Sequence, residues 1–279
     1  MEMAIAYSFL NMTVSRFKKA SKHSQSTLLN LEESGLIKLV SSGPGFLVKI
    51  PFVFLRCYIE TTEDPIKTYW NDLLMKRKMH WQEWESFNIN YFAFRLSLFA
   101  ALGQPSIPLR DFFRGSLINI PDGSDLLIPS IDGIELVHAD RRYPQSKIEN
   151  MPDYSFFLNA DGAAFDGFVS IRVLRKGTGH VERKILALQM KSSDSAKGQK
   201  ITNDMIEKEY NKVKRAMDEF NDGAKFILVI LGRCEFDGKG EGKVEELILP
   251  NNVALVTMSE HKQFYGSFYS SRLGHPQVC

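Results

Sequence analysis

At 279 residues the chain is long enough to bury a full core, in one large domain or two modest ones. Its 44% hydrophobic and 24% charged content excludes a disordered or fibrous protein and describes an ordinary globular one. A formal net charge of +2 excludes strong global attraction to nucleic acid and leaves local basic patches as the route to such a contact.

In chain order, MEMAIAYSFLNM opens with an acidic residue and too short an apolar run for a signal peptide. Residues 12–60 read as a self-contained unit. A basic helix is expected over Ser15 to Lys22, and a second helix over Ser26 to Ser34 with Leu28, Leu29 and Leu31 on its apolar side. GLIKLVSSGPGFLVKIPFVF follows as two alternating strands around Ser41-Ser42-Gly43-Pro44-Gly45. Helix, helix, then hairpin is the order of a winged helix, with Arg16, Lys18, Lys19, Lys22 and His23 as its local positive charge. The same layout also serves as a plain packing or linking module.

Asp64-Pro65 breaks the pattern, which places a domain boundary near residue 62 and divides the chain into 1–62 and 63–279. From Trp81 a strongly apolar helix is expected, with Trp84, Phe87, Tyr91, Phe94 and Leu98 at helical spacing and Glu85 among aromatic neighbours. Gly103, Pro105 and Pro108 end it. Residues 107–140 read as loop-rich with one or two short strands. The run FDGFVSIRVLRKGTGHVERKILALQMK, 165–191, reads as a hairpin turning at Lys176-Gly177-Thr178-Gly179. Then come an amphipathic helix with Ile206, Tyr210, Val213 and Met217 on one side, buried strands at AKFILVILGRC and NVALVTMSEH, and a short closing helix carrying Phe264, Tyr265, Phe268 and Tyr269. Phe226 to Leu231 is far too short to span a bilayer. The whole predicts an α/β sandwich with a central mixed sheet, preceded by the small winged-helix-like unit.

The hairpin carries the chemistry. It sets Asp166 at the start of one strand, and Gln189 and Lys191 on one face of the next, because side chains two residues apart point the same way. A carboxylate and an amide oxygen can hold a hard divalent cation, and an ammonium can orient water or meet phosphate charge. The plainer reading is a structural salt bridge between Asp166 and Lys191, and a surface role for Glu85. Asp161 is a backup acid, while Asp153, after Pro152, fits a turn or cap. Lys208, Lys212, Lys214 and Arg215 along the following helix form either a phosphate-contacting stripe or a solvated face. Six scattered histidines make no HxxxH or HxH pair. Cys57, Cys234 and Cys279 make no CxxC pair and no zinc spacing, so no disulfide framework is expected and a reducing compartment fits. No GxSxG or GxGxxG occurs, and DGKGEGKVEE does not match GxxxxGK[ST].

With Trp84-Glu85-Ser86-Phe87, Phe165-Asp166-Gly167-Phe168 and Leu188-Gln189-Met190-Lys191 in this order, the chain over about 63–279 resembles the PD-(D/E)XK nuclease superfamily. The likeness is to the nuclease domain of Crinkler effectors and retrotransposon hot spot proteins. The resemblance implies a restriction-endonuclease-like core and hydrolysis of DNA with Mg²⁺, for which Mn²⁺ can substitute. It gives Glu85, Asp166, Gln189 and Lys191 the catalytic roles, the first three of them as metal ligands. Lys18, Lys19, Lys212 and Arg215 are the candidate nucleic-acid contacts. Gln189 departs from the family, which usually has a carboxylate there, so metal affinity is expected to fall. The resemblance further implies a secreted effector acting in the host nucleus, with no membrane partner. An NTPase domain outside this chain and a homodimer stay open as partners. The alternative is a protein that keeps the nuclease fold for DNA or protein contact without turnover.

Overall fold

The computed structural model describes residues 2–61, 81–136, 142–143, 151–159, 163–191, 200–219, 225–237, 239–240, 243–244 and 246–266. The expected boundary near residue 62, Asp161, and the aromatic residues Phe268 and Tyr269 lie outside them.

The N-terminal segment begins with helix α1 (Glu2–Phe9), where only a short apolar run had been expected. Strand β1 (Thr13–Val14) then pairs with β3 (Gly45–Lys49), which pairs in turn with β2 (Lys38–Ser42). The β2–β3 hairpin turns where expected, with Gly43 at φ +56°. The helix expected over Ser15 to Lys22 is not formed. The hydroxyls of Ser15, Ser21 and Ser24 each accept from the backbone N–H two residues on, and these local turns outcompete a helix. Helix α2 (Leu28–Glu33) starts later than expected because Thr27 and Asn30 form a reciprocal capping box. The apolar run after Lys49 is also not strand throughout. Pro51 opens helix α3 (Phe52–Thr61), its carbonyl accepting from the N–H groups of Phe54 and Leu55.

Helix α4 (Trp81–Ala101) is apolar on nearly every side, and the fold covers it on nearly every side. Ile5, Ala6, Phe9 and Leu10 from α1 and its C-terminal end join it in the main core. Arg95, fully buried, donates to the carbonyls of Phe112, Arg114 and Phe264 and so ties α4 to the short helices α5 (Leu109–Phe112) and α7 (His261–Phe264).

Among the described residues ten strands form one mixed sheet. Its path runs through β4 (Ser106–Pro108), β6 (Ser124–Leu127), β10 (Gly167–Arg175), β11 (Val181–Lys191), β12 (Phe226–Gly232), β15 (Val253–Val256) and β5 (Leu117–Asn119). Strand β9 (Ser155–Asn159) flanks the first half of β10 and carries β7 (Glu135–Leu136) and β8 (Arg142–Tyr143). A separate small hairpin joins β13 (Lys239–Gly240) to β14 (Lys243–Val244). The region 107–140 therefore holds more strand than expected, in pieces too short to show a period.

The β10–β11 hairpin keeps its register from Gly167 opposite Leu188 to Leu174 opposite Val181. Strand β11 then runs parallel to β12, with helix α6 (Asn203–Asp218) as the crossover. Alternation along β11 separates two cores. Leu186, Leu188 and Met190 face α4, while Ile185 and Ala187 face Ile206, Val213 and Met217 of α6. The architecture is mixed α/β, a large mixed sheet between helices, and is compatible with the expected sandwich. No helix among the described residues is long and apolar enough to cross a membrane.

Candidate active site

Asp166 lies one residue before β10, and its N–H donates to the Leu188 carbonyl at 3.0 Å. The next residue is glycine: a Cβ on Gly167 would stand 2.4 Å from Cδ1 of Ile89 on α4 and 3.1 Å from the Phe157 carbonyl oxygen, so any side chain there requires the end of Ile89 to move. With the Gly167 position pressed against α4, Asp166 is turned to the α6 face, the face that also carries Gln189 and Lys191. There Asp166 Oδ2 accepts from Gln189 Nε2 at 2.7 Å and from the Met190 N–H at 2.6 Å. Asp166, Gln189 and Lys191 are therefore together at the open end of the hairpin, as the strand alternation predicts.

Helix α6 adds a residue that had not been singled out. Glu209, buried among Ile206, Val213 and Ala216, accepts from Lys191 Nζ at 2.7 Å. Its place on the apolar stripe was the available signal, since a carboxylate there cannot belong to a solvated face. Lys212, one turn further on, acts with Lys191 on the Asp166 carboxylate. Burial pushes the Asp166 pKa up, against the opposing pull of the Met190 N–H, Lys191 and Lys212, and Glu209 adds to the rise. Arg215 is exposed on the same helix, and Lys18 and Lys19 are exposed in the N-terminal unit, away from this cluster in the chain.

Glu85 stands apart. It is half-buried on α4, the helix that covers the opposite face of the sheet. Its neighbour Trp84 donates through Nε1 to the Leu231 carbonyl at 3.4 Å, next to Met190 in the β11–β12 register. On that face His261 is buried and held by the Gly232 carbonyl at 2.8 Å, and burial lowers its pKa, so the ring is neutral at pH 7. These contacts brace the strand ends behind Lys191, whose carbonyl accepts from the Arg233 N–H. Asp153 accepts from Ser170 Oγ and Arg172 Nε of β10, each at 2.5 Å, a tie between segments rather than the turn or cap expected for it.

The donor set can be tested for a hard cation on its own atoms. Among the described residues nothing donates to the buried Gln189 Oε1 and Glu209 Oε2, beside an Asp166 carboxylate whose charge burial disfavours. Oxygen atoms in that condition are ligands of the type Mg²⁺ takes, so the residues fit the ion. Among the described residues no three His, Cys, Asp or Glu side chains form a metal cluster; the set is two carboxylates and one amide. Compared with known proteins, the chain matches no family model, no curated protein and no solved structure.

Proposed function

We propose that the chain hydrolyses DNA phosphodiester bonds with Mg²⁺, as a nuclease of the PD-(D/E)XK type. The single observation behind this reading is the convergence of Asp166, Gln189, Lys191 and Glu209 at one strand end, with two buried oxygens lacking donors. The sandwich architecture supports the core of that fold, and the three-stranded sheet with its hairpin at 38–49 supports a winged-helix reading of the N-terminal unit.

In this reading Asp166 and the Gln189 carbonyl oxygen hold the ion, with Glu209 as a third oxygen source on their face. Glu85 would contribute from the opposite side of the strand ends, through water. An ion held by these residues would supply a more acidic water for attack and positive charge to offset the scissile phosphate. Gln189 keeps its amide N–H on Asp166 and so fixes the orientation of the carboxylate. Lys191 is pre-positioned by Glu209 and turns its remaining ammonium protons to the attacking water or a phosphate oxygen. Lys212 and Arg215 on α6, with Lys18 and Lys19, would contact the DNA backbone, which their exposure supports. The nuclear site of action and effector role follow from the resemblance alone.

Plasmid nicking tests this. Wild type should convert supercoiled DNA in Mg²⁺ or Mn²⁺ and not in EDTA, and Asp166→Ala and Lys191→Ala should each abolish the conversion. Equal activity in both variants sinks the assignment. Retained DNA binding in EDTA without any cleavage by wild type would instead favour a non-catalytic DNA-binding role, for which the neutral Gln189 is the supporting feature.

A further inference from the structure

We propose that the cavity at the turn end of the β10–β11 hairpin binds a phosphorylated aromatic ring compound, of the class of a mononucleotide. Its lining shares no residue with the Asp166 cluster, although on α6 the two are neighbours, Tyr210 following Glu209. On β11, Lys184 and Lys191 stand seven residues apart, about 23 Å at the usual rise.

The cavity has a volume of about 690 Å³. It lies between the loop 120–124, the hairpin turn, the start of β12 and the C-terminal half of α6. That size is within the range of small-molecule sites. Its charge is unbalanced in a particular way. Glu182, buried, is gripped by Lys225 at 2.6 Å, Arg175 at 2.8 Å and Lys184 at 3.3 Å. Among the described residues one carboxylate thus serves three cations, which leaves two positive charges over. The other described lining charges do not remove that surplus. Asp122 is engaged by Arg110 at 3.2 Å, and Lys214 and Asp218 of α6 offset one another. Two uncompensated charges match a phosphomonoester dianion. Arg175 and Lys225 are half exposed, and each has N–H donors beyond the one it gives to Glu182. A phosphate at their free donors would relieve the mutual repulsion of the three cations.

One wall of the same cavity is aromatic. Tyr210 and Phe226 are half-buried there, with ring centroids 5.5 Å apart and planes tilted by 45°. A ligand that is only a phosphate leaves this surface uncovered, whereas a planar ring joined to the phosphate covers it.

Isothermal titration calorimetry on the full chain tests the site, with adenosine monophosphate, adenosine and inorganic phosphate as probes. The monophosphate should bind, and adenosine and inorganic phosphate should each bind at least about tenfold more weakly. Lys225→Ala and Arg175→Ala should each weaken the monophosphate about tenfold, while Asp166→Ala should leave its affinity unchanged. Circular dichroism would confirm that each variant keeps its fold. No heat with the monophosphate, an affinity for adenosine or inorganic phosphate equal to that for the monophosphate, indifference to both cavity variants, or loss in Asp166→Ala would each overturn the proposal. None of those results bears on DNA cleavage.

Discussion

Glu182→Gln is the change whose size the structure lets one work out. Burial by itself would raise the Glu182 pKa. The bonds from Lys225 and Arg175 and the charge of Lys184 outweigh it and hold the carboxyl at about 2, against an ordinary value of 4.5. A folded-state pKa below the unfolded one means that the unfolded chain binds more protons as pH falls through this interval. The stabilisation is therefore complete above pH 4.5 and is lost as pH falls towards about 2. The full gap corresponds to about 3.4 kcal/mol. Arg175 and Lys225 are 47% and 55% exposed, so solvent screens part of that, and about 1.5–3 kcal/mol should remain. Glutamine keeps the side-chain volume and removes only the charge, leaving three cations facing one another. Urea denaturation of wild type and Glu182→Gln at pH 7, 4 and 2 measures the difference. The variant should be less stable at pH 7, and the two should converge near pH 2. Millimolar phosphate should narrow the gap at pH 7 if the cavity takes the anion. A penalty of equal size at every pH would mean lost packing rather than lost charge, and no penalty at pH 7 would refute the electrostatic account.

Asp166→Asn should lower metal-dependent cleavage by at least about 100-fold yet give a more stable protein at pH 7 without metal. Because burial raises the Asp166 pKa, wild-type stability should fall as pH rises from 3.8 through the raised value, and thermal melts should show that slope flattened in the variant. Gln189→Glu exchanges an amide donor for a second carboxylate against Asp166. It should cost about 2–4 kcal/mol in EDTA, with Mg²⁺ recovering most of it; a variant as stable as wild type in EDTA would contradict the hydrogen bond at 2.7 Å. Gly167→Ala drives a Cβ into Ile89 and to 3.1 Å from the Phe157 carbonyl, at a cost of about 1–3 kcal/mol. Adding Ile89→Val removes the closest atom and should restore part of the loss in a double-mutant cycle.

The hairpin was legible because two independent signals agree in it, a turn at Gly177 and Gly179 and a run of β-branched and apolar residues on either side. The rule that side chains two residues apart on a strand point the same way put Gln189 and Lys191 together before any fold was known. Helix α6 was legible from its apolar stripe, and α4 from its length and aromatic spacing. What failed were segments decided by short-range competition. Ser15, Ser21 and Ser24 each satisfy a backbone N–H locally, which no count of basic residues reveals. The strands between Ser106 and Leu136 exist because β15, β6, β10 and β9 supply edges for them, and that information lies far away in the chain, as for Leu117 of β5 opposite Leu255 of β15. Glu209 was hidden by the lysines around it. Judged by composition, the helix face was solvated; judged by position, that one carboxylate had to be inside.

The two ends of the hairpin solve the same electrostatic problem in opposite ways. At the turn end, buried carboxylate oxygens meet cations from the chain itself. Glu182 has Lys184, Arg175 and Lys225, and Asp125 has Lys176 at 3.0 Å. At the open end, Gln189 Oε1 and Glu209 Oε2 have neither a donor nor, beyond the Lys191 contact to the other Glu209 oxygen, an ion pair. A buried acceptor without a partner costs about 1–3 kcal/mol. Filling the open end with a leucine at position 189 would avoid that cost and give up nothing in strand alternation. An end lined with acceptor oxygens that lack donors among the described residues supports the proposal of a cation, and an end where three cations share one carboxylate supports that of an anion. The fold thus carries both halves of a charge pattern along one strand pair. The proposal of metal-assisted hydrolysis at one end and of a phosphate-bearing ligand at the other rests on that asymmetry.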